Sequence, residues 1–176
     1  MNALFGTPQG PQEIADRMAI TDVLAAHSRA LDRLDLQLLQ SCYWDDAQVD
    51  YGSYKGPAQQ FAELVLPALE AQYELTRHCL SNTLIELRSA QALAESNVNA
   101  GHLLAGAEQE MLFGGRYLDT LEKRDGNWKL QHRQVVIDWS RRHPVEDERD
   151  GEAFSQLARG AHRDADPLHA FLNASR

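Results

Sequence analysis

The amino-acid sequence predicts an α+β domain in which a curved, mostly antiparallel sheet wraps around N-terminal helices. Two patterns predict it. Apolar residues recur every three or four positions from Glu13 to Tyr73, the period of helices with one buried stripe. After His78 the period becomes two, in runs separated by turn residues, as in an antiparallel meander. Helices first and strands after them place the helices against one face of the sheet.

Residues 1–12, with Gly6, Pro8, Gly10 and Pro11, form an irregular arm in this reading. From Glu13 a helix puts Ile14, Met18, Ile20, Val23, Leu24, His27, Leu31 and Leu34 on an inward stripe and turns Asp16, Arg17, Asp22 and Arg29 to water. A short helix over Leu36 to Cys42 follows, stapled to the core by Tyr43 and Trp44. Gln48 to Gly52 alternates as a short strand, and Tyr54-Lys55-Gly56-Pro57 breaks it. Residues 58–74 carry Phe61, Leu64, Val65, Leu69 and Tyr73 at helical spacing, with Pro67 predicting a kink or a split.

Strands are expected at Thr83–Leu87, Ala92 to Leu104, Glu108 to Leu121 and Trp128 to Trp139. Asp125-Gly126 is the strongest hairpin signal, and Gly114-Gly115 inside a strand pattern predicts a bulge or bend. Beyond Pro144 a charged cluster over 146–150 precedes two short helical stretches, Ala153 to Leu157 and Leu168 to Leu172. The expected organisation is an arm over 1–12, one catalytic domain over 13–144, and a tail over 145–176. That tail has no core of its own, so it packs on a neighbouring subunit or caps a pocket mouth.

A chain of 176 residues with 43% hydrophobic content can bury one core. Its net charge of −9 lacks the clustered Lys and Arg that neutralise phosphates, which excludes a nucleic-acid surface. No apolar run approaches the roughly 20 residues of a membrane helix, and no basic flank leads into an apolar signal core. A cytoplasmic protein with no membrane partner is the expectation. Cys42 and Cys79 have no paired spacing, so neither a disulfide framework nor a zinc site is expected. No metal and no cofactor are expected, because the sequence holds neither metal-ligand spacing nor a glycine-rich strand–turn–helix cradle.

Two residues carry chemistry together. His78 starts the strand region and Asp32 closes the first helix, so the carboxylate is positioned to orient the imidazole as a general base. Each also has a plainer reading, as a surface histidine and a solvated turn residue. Strand alternation puts Arg133, Val135, Ile137 and Trp139 on one face, and Asn97, Asn99 and Gly101 on one face of a neighbouring strand. If those faces line the pocket, Arg133 binds a substrate oxygen and the asparagines hydrogen-bond it, with Val49 and Phe113 as further walls. Otherwise Arg133 makes a salt bridge with a buried carboxylate such as Asp32, and the asparagines lie on an outer, subunit-facing surface. Tyr51 is a candidate proton donor. His102, His132 and His143 point outward or lie at strand ends, and receive no role.

An ordered set of segments runs through the chain: Ile20-Thr-Asp-Val-Leu, Ala30-Leu-Asp32, Tyr43-Trp-Asp-Asp-Ala47, Tyr54-Lys-Gly-Pro57, His78, Gly114-Gly-Arg-Tyr117 and Leu121-Glu-Lys-Arg-Asp-Gly-Asn-Trp128-Lys-Leu. Over roughly residues 10–142 it resembles the SnoaL-like branch of the NTF2-like (cystatin-like) superfamily. Within that branch it is similar to cofactor-free lyases: hexachlorocyclohexane dehydrochlorinase, bile-acid 7α-dehydratase and scytalone dehydratase. The resemblance implies a cone-shaped fold around one deep pocket, and usually a trimer. It also implies a catalytic pair at Asp32 and His78, a strand tyrosine at Tyr51 and a late-strand arginine at Arg133. Where relatives have lysine or tyrosine, five residues before the aspartate, this chain has His27.

The expected function is therefore a cofactor-independent lyase. His78 takes a proton, Asp32 steadies the imidazolium, Tyr51 or His27 serves the leaving group, and Arg133 or Asn99 holds the oxygen that gains charge. The substrate is a small hydroxylated aromatic or alicyclic molecule, losing water or undergoing retro-aldol-type cleavage. Two alternatives stand beside it: an isomerase in the style of ketosteroid isomerase, and a noncatalytic ligand-binding or dioxygenase small-subunit-like protein. An outer sheet face bearing Val98, Leu104, Leu112 and Val136 predicts a homotrimer interface.

Overall fold

The structure, a computed structural model, describes residues 10–174. Most of the expected N-terminal arm lies outside those residues, but Pro11 and Gln12 already belong to the first helix. That helix, α1 (Pro11–Arg33), has Pro at its first position, where the missing N–H costs nothing, and ends at Leu34 in the left-handed conformation (φ 54°). Its buried face is Ile20, Leu24, His27, Ser28, Leu31 and Asp32. Ile14 and Met18, expected on that stripe, are 49% and 64% exposed. One turn before Ile20 stand Asp16 and Arg17, expected in water, and these close the helix onto the sheet instead. Asp16 accepts from Lys123 and from the Trp128 indole at 2.7 and 2.9 Å, and Arg17 donates to the Ile85 carbonyl at 2.8 Å.

Asp35 caps the short α2 (Leu36–Ser41) by accepting from the Leu38 N–H at 2.9 Å. Strand β1 (Tyr43–Asp50) begins directly after it, so Tyr43 and Trp44 are strand residues rather than a staple behind a loop. β2 (Lys55–Pro57) turns back on β1, and Pro57 leads into α3 (Ala58–Gln72). Pro67 does not split α3, because it and Glu63, whose carbonyl it leaves without an amide partner, both lie on the exposed side of the helix.

Strand β3 (Tyr73–Arg88) starts five residues before His78, and β4 (Gln91–Leu104), β5 (Gln109–Arg124) and β6 (Asn127–Pro144) complete the meander. The six strands run in the order β2-β1-β6-β5-β4-β3, antiparallel except for the β1–β6 pair. Asp125 and Gly126 both have positive φ (50° and 83°), the conformation that a two-residue hairpin turn requires.

The phase of β4 is one residue away from the expectation. Ala92, Ala94, Ser96, Val98, Ala100 and His102 face the helices, whereas Asn97 is half-buried and Asn99 exposed on the outer face. Val98, expected in an intersubunit patch, is 1% exposed inside the fold. A second correction follows from a bulge. Gly115 pairs with Ile137 but Gly114 with Trp139, so the extra residue Asp138 sends Trp139 to the face opposite Val135. Gly114 permits this, since a Cβ there would sit 2.4 Å from the Trp139 ring.

Past Pro144 the tail makes two single-turn 3-10 segments (Glu152–Phe154 and Arg163–Ala165) and α4 (Pro167–Asn173). It returns to its own domain. Arg149 pairs with Glu74 and Arg163 with Glu70, both at 2.7 Å, and Asp166, 7% exposed, meets Arg33 at 3.3 Å.

Candidate active site

Asp32 lies in the last turn of α1 and His78 on β3, the edge strand of the sheet. An edge strand leaves alternate N–H groups without a ladder partner, and Asp32 supplies one: both carboxylate oxygens accept the His78 N–H at 3.0 Å. The same carboxylate lies 2.7 Å from His78 Nδ1. An ionised carboxylate only accepts, so Nδ1 carries a proton and, in the neutral ring, Nε2 is the nitrogen with the lone pair. Nε2 has no hydrogen-bond partner among the described residues. The helix end thus fixes strand position, ring orientation and tautomer at once.

This pair borders a cavity of about 320 Å³ lined by Ala25, Ser28, Arg29, Asp32, Arg33, His78 and Leu80, a volume suited to a small molecule. Leu80 continues into an apolar cluster of Val98, Ala100, Tyr117, Phe113 and Val135 on the inner sheet face. Of the expected walls, Phe113 and Val135 therefore adjoin the site. Val49 is core, Ile137 is 61% exposed, and Trp139, Asn97 and Asn99 face away. A larger cleft of about 890 Å³ between the tail and the sheet edge touches neither His78 nor Asp32. It is a seam rich in Glu and Asp.

Arg133 and His27 sit in a separate, closed network. Arg133 is wholly buried and forks onto Asp119 through Nε and Nη2 at 2.7 and 2.8 Å, with its guanidinium 4.1 Å from the centroid of the Tyr117 ring. Its carboxylate partner is thus Asp119 and not Asp32. Burial, the largest influence, works against the charge, but the charge and hydrogen bonds of Asp119 outweigh it and hold the guanidinium protonated. Nη1 donates to His27 Nδ1 at 2.8 Å. His27 must then carry its proton on Nε2 and donate it to the Tyr43 hydroxyl at 2.7 Å. Burial first, then the positive charge of Arg133, pushes the His27 pKa well below the usual range, so the ring stays neutral. Tyr51 stacks on Phe61 at 4.0 Å, and burial raises its pKa. Its hydroxyl feels Tyr43 and Arg133, yet the geometry closes no hydrogen bond to either.

Three groups escape a reading of the sequence. Asp119 alternates with Tyr117 and Leu121, and a lone carboxylate in a buried phase requires a cation, which was the available signal. His102, expected outward, is 6% exposed, bonded to Thr76 Oγ1 at 2.7 Å and edge-on to His78 with ring centroids 5.4 Å apart. Burial, then His78, lowers its pKa to about 4. The small apolar residues at even positions of β4 carried that signal. Ser28 lies one turn before Asp32, on the same face of α1.

Among the described residues no group of three or more His, Cys, Asp or Glu side chains is placed to hold a metal ion, and no helix is long and apolar enough to cross a membrane. The model of the SnoaL-like domain matches residues 12–134. The chain belongs to the SnoaL-like family. It is 32% identical over 122 residues to hexachlorocyclohexane dehydrochlorinase 1 of Sphingobium indicum, covering 66% of this chain and 78% of that protein. The solved structure of a type 2 hexachlorocyclohexane dehydrochlorinase superposes with a TM-score of 0.64 at 27% identity, over 76% of this chain and 90% of that one. A scytalone dehydratase-like protein from Novosphingobium aromaticivorans gives 0.68 at 24% identity, over 76% and 91%. A cystatin-like protein from Nostoc punctiforme gives 0.60 at 20% identity, over 70% and 92%. The α+β fold with a curved six-stranded sheet is that of these SnoaL-like, NTF2-like proteins.

Proposed function

We propose that this SnoaL-like protein is a cofactor-independent lyase acting on a small hydroxylated aromatic or alicyclic molecule. The observation that carries the reading is the Asp32–His78 pair, with an unbonded Nε2 at the edge of a 320 Å³ cavity. Nε2 takes a proton from a substrate carbon, the C–H electrons form the new double bond, and the leaving group departs with its own bonding pair. Asp32 stabilises the imidazolium that results. Both nitrogens of His27 are occupied, and Tyr51, although its hydroxyl is unbonded, does not line this cavity, so we propose that the His78 imidazolium returns its proton to the leaving oxygen. The relatives named as dehydrochlorinases support elimination as the reaction class. We further propose a cytoplasmic homotrimer, for which light scattering is the check.

Turnover tests the reading. Hydroxylated aromatic and alicyclic compounds are screened for products that have lost water or a carbon fragment. On the substrate found, His78→Ala should lower turnover about a hundredfold or more while the fold persists. A folded variant with unchanged turnover would sink the assignment, and a product of unchanged mass would make the protein an isomerase.

A further inference from the structure

The lyase reading leaves the oxygen that the site recognises unassigned, and α1 holds a hydroxyl placed for it. Serine and threonine in or beside helices usually turn their hydroxyls back to a carbonyl three or four residues earlier. Thr21 does so to Arg17 at 2.8 Å, and Ser41 to Leu38 at 2.7 Å. Ser28 does not. Only 6% of this residue is exposed, its Oγ is buried, and among the described residues that oxygen has no hydrogen-bond partner. A buried hydroxyl without a partner is destabilising, so a position that keeps one has a partner still to come.

The surroundings say which partner. Ser28 lines the same cavity as His78 and Asp32, between the apolar Ala25 and Leu80, with Arg29 and Arg33 completing the lining. Asp32 is committed to His78, and Arg33 to Asp166 and the Asp32 carbonyl, so the polar groups of this lining left to meet a neutral ligand are His78 Nε2, the Arg29 guanidinium and the covered Ser28 hydroxyl. We propose that Ser28 hydrogen-bonds a hydroxyl or carbonyl oxygen of the substrate and is a specificity-determining residue of this site. Organic chlorine is a poor hydrogen-bond acceptor and leaves the serine unpaired. The cavity therefore selects oxygenated rings over chlorinated ones of the same shape, although relatives act on a chlorinated substrate. This rests on the lyase reading for the role of the site, and not for the contact itself.

Two probes of similar ring shape test it by binding alone, cyclohexanol and chlorocyclohexane, titrated into the full-length protein and followed by NMR. Wild type should bind cyclohexanol more tightly. Ser28→Ala should weaken cyclohexanol by about three- to tenfold, the range of one neutral hydrogen bond, and leave chlorocyclohexane within about twofold. The melting temperature of the variant should hold or rise, because no internal bond is lost; a fall would show that Ser28 is structural and overturn the proposal. Equal weakening of both probes would reduce Ser28 to packing, and unchanged binding of both, or a wild-type protein that takes up neither, would equally overturn it. His78→Ala separates the two readings. Cyclohexanol binding that still depends on Ser28 in that background leaves this contact standing even where turnover has refuted the lyase.

Discussion

Asp32 holds His78 by ring and by backbone: the carboxylate accepts from Nδ1 at 2.7 Å and from the amide of the same residue at 3.0 Å. The two bonds predict separable losses. Asp32→Asn keeps an acceptor for the amide but loses the negative charge, so it should fold and turn over on the order of a hundredfold slower. Asp32→Ala also orphans the strand amide and should in addition lose about 1–3 kcal/mol of stability by denaturant unfolding. Equal stabilities for the two variants would show that the backbone bond contributes nothing.

Arg133 and Asp119 are both without side-chain exposure, which makes their pair expensive to break from one side. Arg133→Met should cost about 3–5 kcal/mol, because Asp119 is left charged and unpaired, and should release the His27 tautomer. Arg133→Met combined with Asp119→Leu should recover most of that loss. A single variant as stable as wild type, measured by urea unfolding, would contradict the closed network.

Two buried imidazoles make stability fall on the acid side. The folded pKa of His102 is about 4 and that of His27 is also lowered, against about 6.5 in an unfolded chain. Between those values the unfolded state binds protons that the folded state refuses. The stabilisation is thus complete above about pH 6.5 and disappears as pH falls towards about 4, with a slope near 1.4 kcal/mol per pH unit for each histidine. Carboxylates with lowered pKa, such as Asp16 and Asp166, add their own loss only at lower pH. His102→Gln should remove about one proton from the slope between pH 6.5 and 5, read from urea midpoints across that range. An unaltered slope would place His102 in water.

Arg33 borders the proposed cavity and also meets Asp166 of the tail at 3.3 Å. Asp166 accepts from the Ala161 and Leu168 amides as well, so it organises the tail as well as tethering it. Truncation after Pro144 should raise KM more than it lowers kcat and speed amide exchange in α1 near Arg33. The Arg163–Glu70 and Arg149–Glu74 pairs are screened by solvent and should each matter little. A truncated protein identical to the parent in kinetics and exchange would refute the role.

The order of helices and strands was legible in the sequence because burial of one face writes a period of 3.6 or 2 into the residues themselves. So were the Asp125-Gly126 turn, whose two positive φ values few residues accept, and the pairing of Asp32 with His78, legible from an element end and a family resemblance. Phase and partnership were not. Which face of β4 turns inward depends on the sheet it joins, and a single bulge at Asp138 moved Trp139 across the sheet without altering its local pattern. Asp119, His27 and Tyr43 became one network only once β5, α1 and β1 had packed around Arg133. Sequence spacing reports the exposure of each element, whereas hydrogen bonds between distant elements are decided by a geometry that exists only after the core has closed.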